Sequence, residues 1–134
     1  MGKSEYVQYD MSKLMDSSNT MIIQNGLFNR DDITSFNITN NEVLKRIMIG
    51  DECFGMVRVF ELDGLGELES VEIGNDSFTK TKYADPQWNE IPTQGSFRIQ
   101  NCPKLKSIQI GNESCEDYHS FELNNLPSLQ SIDI

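Results

Sequence analysis

Four stretches of this chain align beneath one another with their apolar residues in register. They are FNITNNEVLKRIMIGDECF from Phe36, FELDGLGELESVEIGNDSF from Phe60, FRIQNCPKLKSIQIGNESC from Phe97 and FELNNLPSLQSIDI from Phe121. The aromatic starts lie 24, 37 and 24 residues apart. Counting each Phe as position one, Ile38, Leu62, Ile99 and Leu123 share position three, and Leu44, Leu68, Leu105 and Leu129 share position nine. Ile47, Val71, Ile108 and Ile132 share position twelve, and Ile49, Ile73, Ile110 and Ile134 share position fourteen. Gly50, Gly74 and Gly111 follow at position fifteen, and Phe54, Phe78 and Cys115 hold position nineteen. Self-similarity at such a period is the signature of a stacked-repeat architecture.

The spacing carries its own physics. Positions twelve and fourteen alternate with polar residues, which gives one face of a short strand an apolar lining. The apolar residues at intervals of three, such as Leu65, Leu68 and Val71, turn the chain around a common axis. The glycine is expected to supply a backbone conformation closed to other residues and so turn the chain out of the strand. One coil cannot bury its apolar edge alone. Stacked coils place equivalent residues about 4.8 Å apart and build continuous apolar columns.

The string LGELESVEIGNDSF resembles the leucine-rich-repeat consensus LxxLxxLxLxxNxL, with Leu65, Leu68, Val71, Ile73 and Phe78 in the matching places. The leading F-x-[IL] and the N-x-P-x-L-x-S-I-x-I-G pattern are similar to the irregular repeats of BspA-like and protist arrays. The resemblance covers residues 36–134. It implies a β-rich solenoid: a right-handed stack of about 24-residue repeats with short parallel strands, turns and little helix. It also implies a habit of binding proteins, without naming a partner. One departure concerns the consensus Asn, whose place is taken by Glu52, Asp76 and Glu113. Asn75 and Asn112, one residue earlier, are candidates for part of its work.

Residues 1–35 read as an N-terminal cap and a degenerate half-repeat, in which Met21, Ile23 and Phe28 mimic Ile47, Ile49 and Phe54. Val7, Met11, Leu14 and Met15 fit a short helical stripe ahead of it. The long interval between Phe60 and Phe97 places an inserted loop at about 79–96, with the only Trp of the chain, Trp88, and with Tyr83. Insertions in solenoids emerge on one face, often the binding face, and Trp and Tyr are favoured anchors. Such a Trp also serves to pin its own loop to the stack. At the other end the pattern stops at Ile134, on a strand position. Either further repeats follow, or a bare rung of Phe121, Leu123, Leu126, Leu129, Ile132 and Ile134 meets another surface, with a second copy as the simplest cover.

Composition narrows the function classes. The net charge of −10 opposes nucleic acid and anionic membrane and suits cationic partners. No apolar run reaches the roughly 18 residues of a membrane span, and the N-terminus lacks a signal-peptide h-region, so a cytoplasmic setting is the default. Tyr6 stands where a myristoylation motif wants Ser or Thr. Cys53, Cys102 and Cys115 form no CxxC and are expected as reduced, partly buried thiols. Sequons stand at Asn37, Asn75 and Asn112; the last two share a repeat position, which explains them without glycosylation. His119, expected in a turn, has no patterned Ser or Cys partner, and there is no P-loop, GxGxxG or HExxH. No catalysis, cofactor or metal is expected, although Asp51-Glu52, Asn75-Asp76 and Asn112-Glu113 should stack in columns whose oxygens would suit calcium.

The outward strand positions complete the reading. Arg46, Ser70, Ser107 and Ser131 form one column, and Met48, Glu72, Gln109 and Asp133 the next. The leading strand offers Asn37, Glu61, Arg98 and Glu122. The expected partner surface is this strand face with the Trp88 loop: Tyr83, Trp88, Arg46, Met48, Glu72, Arg98 and Gln109. The expected function is a non-catalytic protein-interaction module. The alternative is a structural element that self-associates, as a homodimer, through its last rung.

Overall fold

The alternation of β-branched and polar residues at positions eleven to fourteen produces a strand in every coil. The Phe-x-[IL] start produces a second. The computed structural model describes residues 14–30, 32–79, 95–115 and 118–134. Among them run nine strands: β1 (Thr20–Ile23), β2 (Ser35–Thr39), β3 (Arg46–Ile49), β4 (Val59–Asp63), β5 (Ser70–Ile73), β6 (Gly95–Gln100), β7 (Ser107–Ile110), β8 (Tyr118–Asn124) and β9 (Ser131–Asp133). They form two parallel sheets, β1-β3-β5-β7-β9 and β2-β4-β6-β8. The chain is therefore a parallel β-solenoid of about 24 residues per coil. The half-repeat joins it in register, with Met21 beside Ile47 and Ile23 beside Ile49.

The core lies between the sheets and is built of columns. Leu44, Leu68 and Leu105 are buried, as are Ile47, Val71 and Ile108. Phe28, Phe54 and Phe78 stack at 5.1 and 5.0 Å between ring centroids. Phe36, Phe60, Phe97 and Phe121 stack at 5.0, 4.5 and 4.3 Å. Isolated aromatic pairs prefer offset or edge-on contact. Here the strand spacing of about 4.8 Å sets the stacking, and edge-on contacts occur between the columns, as in Phe60 against Phe78 at 5.2 Å.

Two expectations are corrected. Gly50, Gly74 and Gly111 are not in the left-handed region; the residues two and four places later are, with φ of 57° and 56° at Glu52 and Phe54. The glycines are required for space. A Cβ on Gly74 would fall 2.7 Å from the Gly50 carbonyl carbon and against the Asp51 carboxylate of the coil below. β6 begins at Gly95. Its glycine accommodates Tyr118, whose ring a Cβ would meet at 2.8 Å. Tyr118 in turn donates its hydroxyl to the Val57 carbonyl at 2.6 Å. His119 lies in β8, exposed, and not in a turn.

Candidate functional site

The turn after each long-sheet strand is joined to its neighbours by side chains. Asn25 Oδ1 accepts the Asp51 amide, Asp51 Oδ1 the Asn75 amide and Asn75 Oδ1 the Asn112 amide, each at 2.8 Å. The Asn and Asp at position sixteen thus make a surface ladder, one residue before the consensus place. Beneath it, buried Ser77 donates to the Gly50 carbonyl at 2.8 Å and accepts the Cys53 amide at 3.0 Å. Ser114 repeats both bonds one coil on, to the Gly74 carbonyl and from the Ser77 amide. Asn75 Oδ1 and both sequon serines, Ser77 and Ser114, thus serve in inter-coil bonds. Asp51 Oδ1 is committed to this ladder, and no group of three or more His, Cys, Asp or Glu placed to hold a metal occurs among the described residues.

Arg46, Met48, Glu72 and Gln109 lie together on the outer face of the five-stranded sheet. Met48, Glu72 and Gln109 are in register, and a shallow groove of about 650 Å3 runs along them beside the Asx ladder. Arg98 belongs to the other sheet. The core separates the two sheets, so the expected single strand face is two faces. Arg98 is also engaged: its Nε donates to Glu122 at 2.8 Å and its guanidinium lies 3.8 Å from Glu61. In-register stacking thus produces an acid–base–acid column in which one guanidinium is shared between two carboxylates. Tyr83 and Trp88 lie outside the described residues, as do Val7 and Met11.

Sequence reasoning missed Ile22. It sits beside Met48 in register, and the two are 51% and 39% exposed. The signal was present, since aligning Met21 with Ile47 already puts Ile22 in the outward column. The face is apolar at this end and polar toward Glu72, Gln109 and Asp133.

Phe121, Ile132 and Ile134 are 42%, 47% and 71% exposed, while Leu123, Leu126 and Leu129 are half-buried against the core. The thiols are all free and buried. Burial raises the pKa of Cys53 and Cys102, and pushes that of Cys115 up to about 12.

No family model, curated protein or solved structure matches this chain.

Proposed function

We propose that the chain is a non-catalytic protein-interaction module of the leucine-rich-repeat kind, binding through the outer face of its five-stranded sheet. The observation that carries this reading is the pair Ile22 and Met48, large apolar side chains side by side and exposed on a flat sheet face. Around it the Asx ladder, Glu72 and Gln109 supply a polar rim, the arrangement of an interface core and its border. Repeat identity draws support from the buried leucines at position nine and the Asn-based turns. The net charge of −10 favours a basic partner, whose association should weaken with salt. Tyr83 and Trp88 are assigned to the same interface as anchors on the insertion.

A photo-reactive residue at position 48, compared with one at position 98 on the opposite sheet, tests the proposal. A discrete adduct is expected at 48 and not at 98, and it should disappear in the Ile22→Lys variant. Equal labelling at both positions would remove the sheet face from the site. Trp88→Ala tests the insertion separately, and unchanged adduct yield would exclude it.

A second reading is self-association through the last rung. It is favoured by the exposed Phe121, Ile132 and Ile134, and by β8 and β9 having no strand on their outer sides among the described residues.

A further inference from the structure

The outer face of the five-stranded sheet changes character along one column. Ile22, Met48, Glu72 and Gln109 lie side by side in register on β1, β3, β5 and β7. The first two are exposed apolar side chains, and the third is an exposed carboxylate. The groove along this column is lined by Asp51 and Glu72 and by no lysine or arginine. Arg46, two residues before Met48 on β3, stands at the end of the strand away from the Asx ladder. Several acids elsewhere on the molecule are met by cations: Glu61 and Glu122 by Arg98, and Glu67 by Lys104 at 3.0 Å. Glu72 and Asp51 enter no ion pair among the described residues. Asp51 Oδ1 is held by the Asn75 amide, which leaves the carboxylate charge uncompensated at the groove wall.

The coil spacing sets a ruler along this column. Successive coils lie about 4.8 Å apart, so Glu72 stands about 7 Å from the midpoint of the Ile22–Met48 pair. An extended chain rises about 3.4 Å per residue and sends alternate side chains to one face, so its residues i and i+2 are also about 7 Å apart. A chain lying in the groove crosses the strands and takes no ladder bonds from them. Its backbone stays in water along the open side, and its alternate side chains make the contact. A large apolar side chain at i covers Ile22 and Met48. A Lys or Arg at i+2 then reaches Glu72, with Asp51 in the groove wall. A carboxylate at i+2 would face Glu72 as a like charge. The residue at i+1 points away from the sheet.

We infer that the groove takes an extended cationic segment of a partner protein, laid along the stack axis, with a large apolar residue on Ile22 and Met48 and a Lys or Arg two positions away on Glu72. The inference rests on the proposal that this sheet face binds a partner, and it adds the chemistry and the residue spacing that the face selects. Either chain direction satisfies the contacts, because alternation reads the same from both ends.

Methyl NMR of the full chain with isotope-labelled methionine is the test, with the Met48 signal assigned by Met48→Leu. Two synthetic peptides of identical composition are titrated in, each with one leucine and one arginine among glycines and serines and with both ends capped. In one the leucine and arginine are two positions apart; in the other they are adjacent and point to opposite sides. The spaced peptide should move the Met48 methyl and bind about threefold more tightly than the adjacent one, the size of one exposed ion pair. Glu72→Gln should erase that difference; the position is exposed, and an unchanged melting temperature checks the fold. Equal affinities of the two peptides for wild type would overturn the inference and leave the sheet face standing as a site. No movement of the Met48 methyl with either peptide would also overturn it, and the photo-adduct at position 48 then decides whether the binding face falls too. Movement of the Met48 methyl on dilution of the chain alone would overturn it in favour of a second copy on this face.

Discussion

Glycine at position fifteen is the residue on which each coil's approach to the next depends. Gly74→Ala should destabilise the fold by about 2–3 kcal/mol, because the Cβ meets backbone that cannot yield. Gly66→Ala, with nothing within 4 Å of its Cβ, should change stability by no more than about 0.5 kcal/mol. Urea denaturation of the two variants gives the comparison. Asp63 gives a pH signature. Its carboxyl accepts from Asn101 and Gln100, and these bonds, Asn101 first, hold its pKa below 3.8. With the folded value below the unfolded one, its stabilisation is present above about pH 3.8 and is lost as pH falls through the folded value. Asp63→Asn turns an amide toward the Gln100 amide, so the variant should be weaker than wild type at neutral pH. Thermal melts should show the gap closing on acidification. Buried thiols with raised pKa values should also resist a thiol reagent at pH 8 in the folded protein, and all three should react once it is unfolded.

At the scale of the element, the paired Phe columns replace the loops and helices that fill other repeat proteins. Phe60→Ala empties a fully buried place between Phe36, Phe78 and Phe97 and should cost about 3–5 kcal/mol. Phe121→Ala, at 42% exposure with one stacked neighbour, should cost less than half as much by the same denaturation measurement. The strands were legible from the sequence because alternation and column spacing report directly on which side chains face the core. The half-repeat was legible for the same reason. The turns were not. Asn40, Gly64, Asn101 and Asn125 all adopt positive φ, and their shared position was the cue that went unread. Phe54 and Phe78 adopt it too, at 56° and 55°. Nothing in a phenylalanine announces that, because its burial, and not its propensity, pays for the strain. The candidate site was legible in part. Met48, Glu72 and Gln109 were grouped correctly, but only the sheet topology shows that Arg98 faces elsewhere.

For the whole molecule, connections of unequal length join equal steps in space. Asn75 and Asn112 are 37 residues apart, yet they are ladder neighbours, as Asp51 and Asn75 are across 24. Loop closure grows only slowly in cost with length, so the insertion leaves the register of β5 and β7 intact. The inter-coil hydrogen bonds lie along the stack axis, which gives the protein a direction of mechanical weakness. Tension applied between the two ends loads the coils in series and opens the bonds of one strand pair at a time. An ordinary coil should then release about 80 Å of contour and the coil bearing the insertion about 125 Å, at roughly 3.4 Å per residue. Pulled by its ends, the molecule should pay out in steps whose unequal lengths count its coils and mark the one that carries Trp88.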